Sequence, residues 1–314
     1  MPELPEVETV LRGLKDRALG RRITAVIVGH PGVVIGSPED FATRLEGKVI
    51  AGLRRKGKAL ALELGVLDGE PPLYLLMRLG MTGQVTVAPV NAPLESHTHV
   101  RMALDVGGEE VRFRDVRRFG RLRCCTLEEL EAVLGRLGPD AQQITAEEFF
   151  RSMQGRRGAI KSWLMNQQLL AGLGNIYADE ALFAARIHPL AQPGGVSADA
   201  ARRLHRAVQK VLARAVALQG TSFRDYLDIE GRPGNFLPQL RVYQRAGEPC
   251  RRCGRAIRRT VIAGRSSHYC PRCQPRPRRV AKMRGPRKPV NHFQHEKKGQ
   301  SRWALSRGAR ATAP

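Results

Sequence analysis

The sequence predicts an α+β protein: an N-terminal antiparallel β-sandwich with a leading helix, then a helical domain, then a small cysteine module and a basic tail. Three observations carry that expectation. Short runs with period-two alternation occupy residues 21 to 125, helical periodicity takes over after Thr126, and four cysteines cluster between residues 250 and 273.

The leading helix comes first. Val7, Val10, Leu11, Leu14 and Ala18 recur at helical spacing, and Pro5 and Glu6 sit where a first turn tolerates a missing N–H and favours negative charge. This predicts a helix from Pro5 to Leu19. Strand-like runs follow at Ile23 to Val28, Ala59 to Leu64, Leu73 to Leu79, Gln84 to Val87, His99 to Leu104 and Val111 to Phe113, punctuated by Gly, Pro and Asp. Leu60, Leu62 and Leu64 alternate with Ala and Glu as in a half-buried strand, and several such runs in one stretch predict a sandwich.

Helices are expected at Leu127 to Leu137, Ala146 to Met153, Ala159 to Asn166, Ala178 to Ala185 and Ala198 to Leu218, with Gly172, Gly174 and Asn175 forming a tight helix-joining turn. The expected organisation is a sandwich domain over 1–125, a boundary over 126–139, a helical domain over 140–243, a cysteine module over 244–274 and a tail over 275–314. Scattered prolines and cations without periodicity make that tail read as disordered.

Charge selects the partner class. Lys and Arg number 53 against 29 Asp and Glu, a net +24, of which +11 lies in residues 274 to 314 and +13 in the rest. Such an excess excludes a neutral surface and points to a polyanion. No apolar run approaches the roughly 18 residues a bilayer span needs, and Met1 to Glu8 carries carboxylates where a secretory signal needs cations. A soluble, cytoplasmic protein without a membrane partner is expected.

Cys250, Cys253, Cys270 and Cys273 form C-x2-C-x16-C-x2-C, a spacing that lets two turns present four thiolates to one tetrahedral zinc ion. Four protein ligands leave no open position for water, so the zinc is expected to be structural. Cys124 and Cys125 end a strand-like run and read as buried thiols. Arg251, Arg252, Arg255, Arg258, Arg259, Arg265 and Arg272 surround the zinc ligands, a density that suits a nucleic-acid backbone.

Pro2-Glu3-Leu4-Pro5-Glu6 reads on spacing as an ordinary helix start. Chemistry offers a second reading: removal of Met1 would expose a secondary amine, of which a useful fraction is neutral near pH 8. Attack of that amine on an aldehyde-level carbon yields an iminium cation, an electron sink that promotes elimination, and Glu3 stands by as acid or base.

At this point several motifs in register, PELPEVETV at the N-terminus, RRKGKALALEL around Lys58, LGMTG at 79–83, RDVRRFG at 114–120, GLGNIYADE at 172–180 and GRSSHYCPRCQ at 264–274, resemble those of the bacterial formamidopyrimidine-DNA glycosylases over roughly residues 1 to 275. The resemblance implies a monomeric, bifunctional glycosylase and abasic-site lyase with a helix-two-turn-helix domain and a zinc finger, acting on double-stranded DNA that contains oxidised bases. It implies Pro2 as nucleophile, Glu3 as the acid that assists ring opening, Glu6 as support for the amine, and Lys58 near the phosphates of the damaged nucleotide. Asn175 and Arg265 are implied to clamp phosphate, Arg265 also to take part in elimination, and His97 and Tyr243 to contact DNA. Met81, Arg117 and Phe119 match the residues that fill the gap left by an everted base, a task suited to apolar and planar groups. For Met81 and Phe119 a place in the core is the alternative.

The chain departs from the family pattern at Val116, where Pro is usual, at Arg78, where His is common, and in the tail. Asp228 to Phe236, with Gly231 and Gly234, resembles the loop that covers an everted 8-oxoguanine, which directs the expectation to oxidised purines. Two alternatives stay open: a glycosylase for oxidised pyrimidines resembling endonuclease VIII, and a non-catalytic zinc-containing DNA-binding protein.

Overall fold

The computed structural model describes residues 2–65, 71–223 and 225–277; the expected tail beyond these lies outside the described residues. Helix α1 (Leu4–Ala18) leads, and ten strands follow in chain order. Strands β1 (Ile23–Val28), β6 (Thr98–Leu104), β7 (Glu109–Asp115) and β5 (Gly83–Pro89) make one antiparallel sheet in that order. The second sheet runs β2 (Val49–Lys56), β3 (Ala59–Gly65), β4 (Leu73–Arg78) and β8 (Arg121–Cys125). Their facing surfaces enclose the expected sandwich core, closed along one edge by Val7, Val10, Leu11 and Leu14 of α1.

Strand β3 is more buried than a half-exposed strand. Leu60, Leu62 and Leu64 face the sandwich core, while Ala59 and Ala61 on the other face pack under Leu130 and Leu134 of α3 (Leu127–Gly135). Small residues there let the helix approach closely. Two elements of the sandwich escape sequence periodicity. Helix α2 (Pro38–Leu45) is short and buries only Phe41 and Leu45, starting at a Ser37 cap. Strand β2 is an edge strand whose register shifts between Ile50 and Gly52, which blurs its alternation.

The helical region comprises α4 (Ala146–Met153), α5 (Ile160–Met165), α6 (Asn175–Ala185) and α7 (Ala198–Ala217) around a second core. Leu4 belongs to this core although the rest of α1 serves the sandwich, so the N-terminus lies at the seam between the two. A hairpin, β9 (Arg258–Ile262) with β10 (Arg265–Tyr269), completes the cysteine module. Among the described residues no helix is long and apolar enough to cross a membrane.

Asp228 to Phe236 is tied down at its start rather than free. Asp228 accepts the backbone N–H of Glu230 and of Arg232, Ile229 C=O accepts from Val87 N–H on the edge of β5 at 2.8 Å, and the Ile229 side chain rests on Gly13 of α1. Gly231, at φ +77°, makes the turn, and Gly234 packs against the Gly220 carbonyl. Burial of Asp228 and Ile229 is the reason this part behaves as a body-bound turn.

Candidate active site and nucleic-acid interface

Glu3 caps a helix 171 residues away. Gly174, the residue before α6, has no side chain to offer, and Glu3 takes its place: Oε2 accepts from Gly174 N–H at 2.7 Å and Oε1 from Ile176 N–H at 2.9 Å. Donors at a helix start otherwise lack partners. The capped start explains why α6 begins at Asn175 and not, as periodicity predicts, at Ala178. Gly174 is required because a Cβ there would stand 2.4 Å from the Glu3 carboxyl. Gly172, at φ +115°, gives its carbonyl to Leu4 N–H at 3.1 Å.

Pro2 is buried at this seam. While Met1 is attached its nitrogen is a tertiary amide without basicity; once Met1 is removed it becomes a secondary amine in the same place. Glu6 supports the turn from below. Its Oε2 accepts from Glu3 N–H at 2.8 Å and its Oε1 from Thr221 N–H at 2.8 Å and from the Tyr177 hydroxyl. Burial, reinforced by Glu3, pushes the Glu6 carboxyl above the ordinary carboxylate value, against the pull of those donors.

Lys58 stands on the turn between β2 and β3. Gly57 beside it adopts φ +59° and lies so close to Ala171 that a Cβ would approach its methyl to 2.8 Å. Asp140 fastens the turn, accepting from Gly57 N–H at 2.8 Å and pairing with Arg55 at 2.6 Å, and Arg55 also reaches Glu8 at 2.9 Å. Lys58 is half-buried and has no hydrogen bond or ion pair among the described residues. Desolvation lowers its pKa, Glu3 and Glu6 oppose the shift, and Arg265 adds to it, so all three act electrostatically on Lys58.

Arg265 is exposed at the start of β10, and α6 anchors its hairpin. Asp179 pairs with Lys161 at 2.7 Å, both almost wholly buried, and also accepts from Ser267 Oγ and His268 N–H. Lys161 Nζ donates to the Ser266 carbonyl at 2.6 Å. Glu180 collects the N–H groups of Arg241, Val242 and Tyr243, each at 2.9 Å. Tyr243 is thereby fixed next to Asn175, whose Nδ2 faces the phenol at 3.4 Å while its Oδ1 is buried without a partner among the described residues.

A second group forms on the sandwich loops. Met81, Arg117 and Phe119 come together: the Arg117 guanidinium lies 4.7 Å from the Phe119 ring centroid and 3.4 Å from the Met81 sulfur. Phe119 is 53% exposed, so the core alternative fails for it; Met81 is half-buried at the surface. Buried Asp115 shapes this loop through Thr82 Oγ1, Arg117 N–H and Gly120 N–H. Gly80 (φ +65°) lets the two loops touch, since a Cβ would sit 2.7 Å from the Gly120 nitrogen. His97 is exposed at φ +67° and hands its carbonyl to Asp115 N–H. Val116 and Arg78, the two departures, are both exposed.

The four module cysteines bring their sulfurs within 4.8 Å of one another, with Cys250 to Cys273 at 3.9 Å and Cys253 to Cys270 at 3.4 Å. A tetrahedral zinc with Zn–S of about 2.3 Å needs edges of about 3.8 Å, so the set fits. Backbone N–H groups of Arg252 and Cys273 point at the sulfurs of Cys250 and Cys270. The set closes around one structural zinc.

Sequence reading missed Tyr177, Asp179, Glu180, Lys161, Arg55 and Asp140. The first three lay in plain view inside GLGNIYADE, where acids on a helix interior signal long-range partners, and Arg55 lay inside RRKGKALALEL; Lys161 and Asp140 carry no local signal.

Comparison with known proteins covers all three regions. Residues 1–122 match the formamidopyrimidine-DNA glycosylase N-terminal domain, 136–226 the H2TH domain of the same enzymes, and 247–276 a zinc finger found in them and in isoleucyl-tRNA synthetases. A formamidopyrimidine-DNA glycosylase of Symbiobacterium thermophilum is 44% identical over 286 residues, covering 90% of this chain and 92% of that one. Two solved Lactococcus lactis relatives align at a TM-score of 0.80, over 88% of this chain and all of theirs. One, 34% identical, is a variant bound to DNA containing Fapy-dG, and the other, 33% identical, is the wild type bound to DNA containing an oxidised pyrimidine. With the sandwich, the helical region and the cysteine module all matched, and a relative 44% identical over 90% of this chain, the chain belongs to the formamidopyrimidine-DNA glycosylase family.

Proposed function

We propose that this protein excises oxidised purines from duplex DNA and then nicks the abasic site, with the Pro2 amine as nucleophile. One observation carries the proposal. Residues Pro2 to Glu6 are pinned between α6 and Thr221 by Glu3 and Glu6, with half-buried Lys58 in their field, which is an exacting way to hold a chain terminus that has no chemical task.

In the proposed reaction the amine attacks C1′ as the C1′–base bond breaks and the base leaves with the bonding pair. Glu3 carries the proton given up by the amine nitrogen to the sugar ring oxygen as the C1′–O4′ bond opens to an iminium. Loss of a C2′ proton expels the 3′ phosphate, a second elimination expels the 5′ phosphate, and water releases the amine. Lys58, Asn175, Tyr243 and Arg265 hold the backbone phosphates, and His97 contacts the duplex. Met81, Arg117 and Phe119 fill the vacated base position, where a guanidinium stacked on a ring suits a gap between bases. Zinc, when bound, organises the finger that carries Arg265.

Oxidised pyrimidines are the second reading, because a relative has been solved with one in its DNA. Borohydride trapping and cleavage on paired duplexes, one with 8-oxoguanine and one with an oxidised pyrimidine, tests both readings. A covalent adduct and faster purine cleavage are expected, and Pro2→Gly should weaken trapping while lesion binding persists. Absence of an adduct from protein shown to lack Met1 overturns the lyase; faster pyrimidine cleavage overturns the preference.

A further inference from the structure

Gln84 is only 4% exposed although it does not face the sandwich core. Val85 and Val87 of β5 take the core side, so Gln84 lies on the outward face, where a glutamine ordinarily meets water. Its cover is the chain that leads into the 228–236 turn. Gln84 Nε2 donates to the Asp225 carbonyl, and further along β5 the edge N–H of Val87 holds the Ile229 carbonyl at 2.8 Å. The orientation of the amide is dictated from behind. Arg114, the cross-strand partner of Gln84 on β7, donates to Gln84 Oε1 at 3.2 Å. A guanidinium has no acceptor, so the amide oxygen must face Arg114 and the NH2 must face Asp225. Arg114 also donates to the Ser96 carbonyl at 2.9 Å and pairs with Glu95 at 3.2 Å, next to His97.

The segment that Gln84 holds borders the Pro2 seam. Thr221 and Tyr226, on either side of Phe223 and Asp225, both rest on Glu6: Thr221 N–H donates to its carboxyl at 2.8 Å and the Tyr226 hydroxyl to its carbonyl at 3.5 Å. Ser222 Oγ donates to the Tyr226 carbonyl and accepts from Gly234 N–H, which locks the segment to the turn. Phe223 is exposed, its ring centroid 5.7 Å from that of Tyr243 beside Asn175. We propose that Gln84, oriented by Arg114, is a positioning residue that sets where this segment meets the everted base, and so governs base excision without taking part in strand nicking. The inference rests on the reading of the Pro2 seam as the glycosylase site. Its physical basis is that the base occupies the space beside the segment only until it leaves, whereas the later eliminations act on sugar and phosphate. Loosening the segment therefore slows the first step and spares the others.

The test uses the full chain, shown to lack Met1, in single-turnover cleavage of two duplexes that differ at one nucleotide, 8-oxoguanine in one and a preformed abasic site in the other. Gln84→Glu keeps the shape and the acceptor for Arg114 but replaces the NH2 donor with a carboxylate oxygen facing the Asp225 carbonyl. Excision of 8-oxoguanine is expected to fall about tenfold, the loss that one hydrogen bond carries, while abasic-site nicking stays within about twofold of wild type. Arg114→Met frees the amide to turn and should lower excision about threefold with the same sparing of nicking; it alone decides if Gln84→Glu shows no cooperative melt. Equal losses on both duplexes mark a merely structural role and overturn the proposal, as does wild-type excision by both variants. Wild-type protein inert on the abasic duplex overturns the reading of the seam itself.

Discussion

Lys58 is a cation held where water is scarce and without a partner among the described residues, while Glu6 is a carboxylate held in the same seam. Both pKa values move toward neutrality for the same reason, desolvation; Glu3 and Glu6 oppose the shift at the lysine, and Glu3 adds to the rise at Glu6. For Lys58 the sign of the stability effect follows from proton counts. Its pKa lies below the ordinary 10.5, so between the folded value and 10.5 the unfolded chain binds more protons and the folded state gains stability as pH rises. Lys58→Met is therefore expected to cut lesion cleavage about a hundredfold without loss of stability. Its advantage in urea midpoint should be largest near pH 7 and shrink toward 10.5. A variant less stable than wild type at pH 7 would show that the ammonium is paired after all.

Helix α6 is the element on which the site depends. Its start receives Glu3, its first residue meets Tyr243, its middle holds Asp179 for the finger and Glu180 for residues 241 to 243. Gly174→Ala inserts a Cβ 2.4 Å from the Glu3 carboxyl and should evict it, leaving N–H groups at the helix start unpaired. The expected cost is about 1–3 kcal/mol in chemical denaturation, with cleavage lost and zinc content unchanged. Wild-type cleavage by this variant would remove Glu3 from the proposed chemistry. Asp179→Asn leaves Lys161 as a buried, uncompensated cation and should cost about 3–5 kcal/mol. Adding Lys161→Met should restore part of it, and a double-mutant cycle reads the coupling.

At the scale of the molecule, the charge divides by region. The body carries +13, including Lys58, Arg117 and Arg265, and residues 274 to 314 carry +11. Gln274 belongs to the finger, since its side chain is buried between Ile187 and Cys270. Truncation must therefore spare it. A chain ending at Pro277 is expected to keep its melting temperature and to lose nonspecific DNA affinity, with the slope of log affinity against log salt shallower by about 1 or more. An unchanged slope would assign no DNA contact to the removed residues.

Much of this was legible in the chain itself. Period-two runs marked four of the sandwich strands nearly to the residue, helical periodicity placed α4 at Ala146–Met153, and C-x2-C pairs identified the zinc ligands, because each signal is local. The motifs likewise carried Pro2, Glu3 and Lys58 through resemblance. Elements with few buried residues, α2 and the edge strand β2, left too weak a period to read. Long-range pairing was beyond sequence altogether. That Glu3 caps α6 and that Asp179 and Lys161 anchor the finger are facts of three-dimensional approach between residues tens to hundreds of positions apart. Local chemistry fixes which residues can act, and only packing decides which of them meet.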